Sequence, residues 1–163
     1  MSAITIRPAR PEDVPVILAL IEALAEYERL RHECVATTER LHTTLFGDHP
    51  AAEVVLAEID GASVGFALFF HNYSTFLAQR GIWLEDLFVR PEMRGHGIGR
   101  ALLAHLARLA VTRDCGRLEW YVLDWNAPAI GFYQRLGAVA LDDWTIHRLS
   151  GAALVALSAQ ASP

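Results

Sequence analysis

The chain of 163 residues has no lysine, and all 14 of its basic side chains are arginines. Three kinds of site are thereby excluded, because a P-loop, a pyridoxal Schiff base and a kinase each require a lysine. The 19 acidic residues give a formal net charge of −5. We therefore expect no nucleic-acid partner, whereas a small cationic molecule would be attracted electrostatically.

Cysteine is also scarce, and Cys34 and Cys115 lie far apart in the sequence. Two thiols are too few for a disulfide scaffold or a zinc cluster. The histidines are scattered, and His32-Glu33 is not followed by a histidine at the spacing of a zinc-binding helix. We predict no metal site and a reducing environment.

No apolar run approaches the roughly 18–20 residues of a membrane-spanning helix. Glu22 interrupts residues 14–25, and polar residues interrupt 64–78. The first residues lack the basic and apolar segments of a signal peptide. With hydrophobic residues at 53% of the chain, we expect a soluble cytoplasmic protein without a membrane partner, folded as a single domain over 1–163.

Apolar periodicity and turn residues predict an alternation of helices and strands. The predicted helices cover 12–29, 98–113 and 126–136, with a shorter one from Thr37 or Thr38 to Leu45. The predicted strands cover 4–7, 53–59, 63–70, 81–89, 117–123, 138–141 and 144–149. Asp60-Gly61 is a strong signal for a two-residue hairpin turn.

A glycine-rich turn, Arg94-Gly-His-Gly-Ile-Gly-Arg100, separates a predicted strand from a predicted helix. Glycine allows backbone amides to approach a ligand closely, and a helix N-terminus adds partial positive charge, so the turn suits a pyrophosphate. It is not a dinucleotide fingerprint, because Arg100 stands where that pattern requires glycine. The alternative is that the glycines only permit tight packing of the helix on the strand.

A second segment runs from Asn126 to Ala138. Asn126 is suited to cap a helix at its N-terminus, and Gly137 to end it. Tyr133 follows Asn126 by two helical turns on the same face. The alternative for Tyr133 is a core aromatic side chain whose hydroxyl reaches the rim.

With these two segments in this order, the chain resembles the GNAT superfamily of N-acetyltransferases. The turn matches the superfamily's (Arg/Gln)-x-x-Gly-x-(Gly/Ala) motif, and 126–138 matches its second motif. The spermidine/spermine (diamine) acetyltransferase branch and its thialysine-acetylating relatives are similar in four further segments, which are 25–28, 46–50, 83–89 and 123–126. Residues 73–76, Tyr-Ser-Thr-Phe, are closer to the thialysine type.

The resemblance implies an α/β fold whose mixed, mostly antiparallel central sheet is splayed in the middle and flanked by helices. Acetyl-CoA would lie in the gap, held by residues of three segments. These are the backbone of Leu87, Phe88 and Val89 at the pantetheine arm, Arg94, Gly95, His96, Gly97, Ile98, Gly99 and Arg100 at the pyrophosphate, and Asn126, Ala127, Pro128 and Ala129 on the far side of the arm. Tyr133 would lie beside the sulfur.

Acetyl transfer requires a neutral amine, whereas an alkyl ammonium group titrates near pH ~10. The resemblance places Glu85 at the amine as charge partner and as base, directly or through water. Asp86 is expected on the opposite face, anchoring a loop or a dimer neighbour. The resemblance makes Tyr133 the general acid for the departing thiolate, with no covalent intermediate on Cys34 or Cys115.

Tyr27 and Glu28 match the pair that contacts the polyamine in the diamine enzymes, although Glu22, Glu26 and Glu28 would equally form a solvated acidic face. Ser74-Thr75-Phe76 stands where those enzymes carry Asp-Pro-Trp. One acidic group is thus missing, and a short diamine, thialysine or a lysine-like amino acid is at least as plausible as a long polyamine.

Two other functions remain open on the sequence. One is acetylation of a protein or peptide amine, and the other is a non-catalytic acyl-CoA-binding module. The resemblance also implies a homodimer, for which 144–149 and 152–157 would supply apolar surface.

Overall fold

The computed structural model describes residues 3–161. Within them lie five strands, namely β1 (Thr5–Pro8), β2 (Glu53–Ile59), β3 (Ala62–Ser74), β4 (Gln79–Val89) and β5 (Leu118–Trp120). The α-helices in the same range are α1 (Val14–Tyr27), α2 (Thr38–Phe46), α3 (Ile98–Thr112), α4 (Ala127–Arg135) and α5 (Gly151–Ser158). Short 3-10 turns precede α1, α2 and α3.

The strands form one sheet in the order β1-β2-β3-β4-β5. Neighbouring strands are antiparallel except β4 and β5, which are parallel. The β2–β3 turn is formed by Asp60 and Gly61, both with positive φ, as a two-residue hairpin requires. The predicted fold class is confirmed.

The core lies between the sheet and its helices. The buried stripe of α1 contains Val14, Ile17, Leu20 and Leu24, and it packs with Phe66 in one cluster. Buried residues of α3 include Ile98, Leu102 and Leu106. Because Leu24 anchors the last turn of α1, the exposed end of that helix is held at a defined place on the sheet.

The chain forms two compact units, of which the first ends at Tyr121 and the second begins at Val122. The first contains the whole sheet with α1, α2 and α3, and the second contains α4 and α5. The single domain over 1–163 stays a prediction. None of the helices in 3–161 is long and apolar enough to cross a membrane.

The predictions for 138–149 are wrong. Neither 138–141 nor 144–149 forms a strand, and the chain then enters α5, which the periodicity did not indicate. A strand exists only where a partner offers hydrogen bonds, and the alternating apolar residues here, such as Val139 and Trp144, are exposed. The predicted strand 117–123 shortens to β5 for the same reason.

Candidate functional site

A β-bulge lies in the middle of β4. Leu84 pairs with Phe69 and Asp86 pairs with Leu68, so Glu85 is the extra residue without a partner on β3. A bulge bends the strand and increases its local twist. The pairing of β4 with β5 also stops here, at Leu84 and Trp120.

Beyond the bulge, one edge of β4 is open. The Arg90 N–H donates to the Val64 carbonyl at 2.9 Å, so by alternation the backbone of Phe88 faces β3. The backbone groups of Leu87 and Val89 therefore face the other edge, where no strand of 3–161 pairs with them. A ligand added as an extra strand would meet Leu87 and Val89, while Phe88 contributes a buried ring.

The glycine-rich turn follows β4 and opens α3. Gly95 and Gly97 have φ near +80°, and open space lies where each Cβ would stand. Gly97 is the N-cap residue of α3, whose first turn carries no acidic side chain. An anion such as pyrophosphate requires N–H donors and positive charge. The backbone amides of the turn, the N-terminus of α3 and the side chains of Arg94 and Arg100 supply both, so these residues fit a pyrophosphate.

Three carboxylates come together where α1 ends beside β4. Burial raises the pKa of Asp86 to about 7, and the charges of Glu85 and Glu28 act in the same direction. Burial also raises the pKa of Glu28. The carboxylate of Asp86 accepts no hydrogen bond from the described part of the chain. We call Glu28, Glu85 and Asp86 the acidic cluster.

Asp86 is a largely buried member of the acidic cluster. Its expected role, anchoring a loop or a dimer neighbour, stays a prediction, and the charges of Glu85 and Glu28 act on its carboxyl group. The available signal was an adjacent acidic pair within an apolar strand, since a shielded charge requires a partner or a function. The adjacency alone does not reveal Glu28 as the third member.

Glu85 is exposed at the bulge, but its carboxylate accepts one hydrogen bond from a neighbouring side chain. The indole Nε1 of Trp83 donates to its Oε2 at 3.0 Å. The Trp83 ring meets Tyr121 edge-on, with ring centres 4.3 Å apart. Trp83 was not among the predicted site residues.

Tyr27 links this region to the glycine-rich turn. The guanidinium carbon of Arg94 lies 4.4 Å from the centre of the Tyr27 ring and 5.7 Å from that of Phe88. The predicted substrate residues Tyr27, Glu28 and Glu85 and the predicted phosphate residue Arg94 thus belong to one neighbourhood of the first unit.

The second unit carries the remaining predicted residues. Asn126 is buried and caps α4 by accepting from the Ala129 N–H at 3.4 Å, and Gly137 has a φ of +87° after the helix ends. Both predictions about the helix ends are confirmed. Tyr133 lies on α4 with its ring 5.3 Å from that of Phe132. The roles of 126–129 and Tyr133 toward a cofactor stay predictions.

Over residues 3–161 there is no group of three or more His, Cys, Asp or Glu side chains that could hold a metal ion. Cys34 and Cys115 are both free thiols.

The sequence pattern of the acetyltransferase (GNAT) family matches residues 18–138. The chain is 38% identical to the thialysine N-epsilon-acetyltransferase of Bos taurus, over 94% of this chain and 96% of that protein. It is 37% identical to an L-ornithine N5-acetyltransferase of Arabidopsis thaliana, over 93% and 86% respectively.

A third relative is the human spermidine/spermine N(1)-acetyltransferase-like protein 1, which is 31% identical over 92% of this chain and 23% of its own length. Among solved structures, an integron cassette protein from the mobile metagenome of V. cholerae superposes with a TM-score of 0.81 and 26% identity. That superposition covers 97% of this chain and 98% of the other.

Proposed function

The chain belongs to the acetyltransferase (GNAT) family and is an N-acetyltransferase, and we propose that it transfers the acetyl group of acetyl-CoA to a primary amine of a small cationic substrate. The observation that carries the proposal is the acidic cluster of Glu28, Glu85 and Asp86 at the open edge of β4. Carboxylates that are partly removed from water attract an ammonium group strongly. The substrates in the relatives' names, ornithine, thialysine and spermidine or spermine, are all alkylamines.

Cofactor binding is proposed for two parts of the first unit. The amides of 95–100 with Arg94 would hold the pyrophosphate, and the open edge at Leu87 and Val89 would hold the pantetheine arm. The resemblance assigns Asn126 to Ala129 to the same cofactor, and that role stays a prediction. When bound, acetyl-CoA supplies an activated acetyl thioester.

The acidic cluster has two tasks in this proposal. Its negative charge binds the ammonium form of the substrate, and one of its carboxylates accepts the proton that must leave before the nitrogen can attack. Glu85 receives that proton directly or through water. Asp86, whose pKa lies near 7, is suited to share this task at neutral pH.

Tyr133 is proposed as the acid that gives its hydroxyl proton to the departing sulfur. Positioned proton transfer of this kind contributes about 10²–10⁴-fold to the rate. Attack is direct, so neither thiol of the chain takes part.

The substrate class is narrowed by residues 74–76. Ser74 is buried, and its Oγ accepts from the Leu77 N–H at 3.3 Å, so it shapes the β3–β4 turn. Phe76 is fully exposed. Neither adds negative charge for a distant ammonium group, which favours short diamines and amino acids such as ornithine or thialysine over long polyamines.

A panel of amines tests the proposal. Ornithine, thialysine, lysine, putrescine, spermidine and a peptide with a free N-terminus would be compared by thiol release from acetyl-CoA, with mass spectrometry of each product. We expect the highest kcat/KM for the short amines. Activity confined to the peptide would replace the proposal with protein acetylation, and CoA binding without turnover would identify a non-catalytic acyl-CoA-binding module.

We also propose a cytoplasmic homodimer. The second unit exposes large apolar side chains, including Trp144, Ile146 and Val155, and such a surface favours self-association. Sedimentation equilibrium should give twice the chain mass of 18.0 kDa. A monomer at micromolar concentration would rule out the dimer.

A further inference from the structure

Arg94 connects the two halves of the candidate site. It is the residue before Gly95 on the glycine-rich turn, and its Nε donates to the Val89 carbonyl at 3.1 Å. Its guanidinium carbon lies over two rings, at 4.4 Å from the centre of the Tyr27 ring and 5.7 Å from that of the Phe88 ring. One side chain thus reaches from the turn to the last residue of α1.

The ring that Arg94 contacts is next to an acidic residue in the chain. Tyr27 directly precedes Glu28, and the charge of Glu28 acts on Asp86. Arg94 nevertheless forms no ion pair with any carboxylate in 3–161. Because Nε is the one guanidinium nitrogen with an acceptor in that range, the terminal N–H donors are left to bind an anion.

We propose that Arg94 is a positioning residue that couples the cofactor turn to the amine site through its stack on Tyr27. The inference rests on the proposed function, and it adds a specific dependence of amine binding on the occupancy of the turn. The stack holds the Tyr27 ring, and with it the end of α1, in one orientation. The same contact keeps the Arg94 guanidinium group close to the glycine-rich turn.

The coupling has an electrostatic cause. With the turn empty, the positive guanidinium offsets part of the negative potential that Glu28 and its neighbours present to an ammonium ion. Phosphate oxygens at the turn would accept from the terminal N–H groups and neutralise that charge. The cationic amine then binds more tightly, and by linkage the amine raises the affinity for CoA by the same factor.

Calorimetric titration measures this factor without turnover. L-Ornithine and putrescine would be titrated into the free protein and into protein saturated with CoA, which carries no acetyl group. We expect CoA to lower the Kd of the amine about five- to tenfold. In Arg94→Met at saturating CoA the factor should fall close to one.

Arg100→Met is the matched control, because it removes an equal charge from the same turn but leaves the Tyr27 stack intact. It should weaken CoA binding and, once CoA is saturating, retain the coupling factor. An unchanged factor in Arg94→Met, or an equal loss in Arg100→Met, would overturn the proposal.

A second readout needs no amine. Tyr27→Phe keeps the ring and should leave the Kd of CoA unchanged, whereas Tyr27→Leu should raise it about two- to fivefold, the contribution of an exposed cation–π contact. Equal Kd values for the two variants would reject the link. If the ring dependence is found but no amine is acetylated, the proposed substrate fails while the link stands, and if CoA does not bind at all, both fail.

Discussion

The indole N–H of Trp83 donates to the carboxylate of Glu85 at 3.0 Å, at the residue where β4 bulges. Glu85 is exposed, so without this donor its side chain would sample several rotamers. The Trp83 ring is itself placed by the edge of Tyr121. Trp83 therefore holds the Glu85 carboxylate in one orientation, which the proposed contact of Glu85 with a substrate amine requires.

Trp83→Phe removes the N–H donor and keeps an aromatic ring against Tyr121. We expect KM for the amine to rise about two- to tenfold, the effect of losing one hydrogen bond to a charged group at an accessible position. KM for acetyl-CoA should not change. Tyr121→Leu, which removes the ring contact but keeps the Trp83 donor, serves as the control, and an equal rise in KM for that variant would assign the effect to ring packing.

The pH dependence of activity should show the ionisation of Asp86. Its pKa is raised to about 7, so kcat/KM for the amine should fall as the pH drops below 7 and Asp86 becomes neutral. Asp86→Asn should lower kcat/KM by about 10²-fold at pH 8 and remove the limb centred near 7. Glu92→Gln, an exposed acid of the neighbouring 3-10 turn, is the charge-matched control. A limb that persists in Asp86→Asn with the same midpoint would show that another group titrates.

The Asp86 carboxyl group should lower the free energy of unfolding at neutral pH. Its pKa is raised from 3.8 to about 7 on folding, so the folded state binds this proton more tightly than the unfolded state does. The wild type therefore loses stability as the pH rises from about 4 through 7. Asp86→Asn should unfold at higher urea than the wild type at pH 8. Its free energy of unfolding should be greater by up to roughly 4 kcal/mol, and this difference should vanish near pH 4. A variant that is less stable at pH 8 would show that Asp86 has a stabilising partner.

Local signals predicted several parts of the structure. The Asp60-Gly61 hairpin, the start of α3 at Ile98 and the Asn126 cap each depend on residues within a few positions of one another. Propensity, turn chemistry and capping act over that range, so the sequence contains the whole cause.

The features that make the site depend on residues far apart in the chain. The bulge at Glu85 exists because β3 pairs with both sides of it, and no pattern within β4 shows which residue is left over. The pKa of Asp86 depends on Glu28, and the contact of Arg94 depends on the Tyr27 ring. Tyr27 is the last residue of α1 and Glu28 follows it, so both lie far from β4 in the sequence. The strands expected at 138–149 failed for the opposite reason, because their pattern was present and a pairing partner was not.

Tyr133→Phe tests the proposed acid with the smallest change available, since only the hydroxyl is removed. We expect kcat to fall about 10²-fold or more, because the departing thiolate must then take its proton from solvent. The Kd of CoA, measured by calorimetry, should stay within about twofold, since the ring and the α4 cap at Asn126 are retained. Tyr73→Phe, which removes the hydroxyl of an exposed tyrosine on β3, should keep full activity. Because a packing role for Tyr133 would be preserved by phenylalanine, unchanged turnover would mean that its hydroxyl is not the acid.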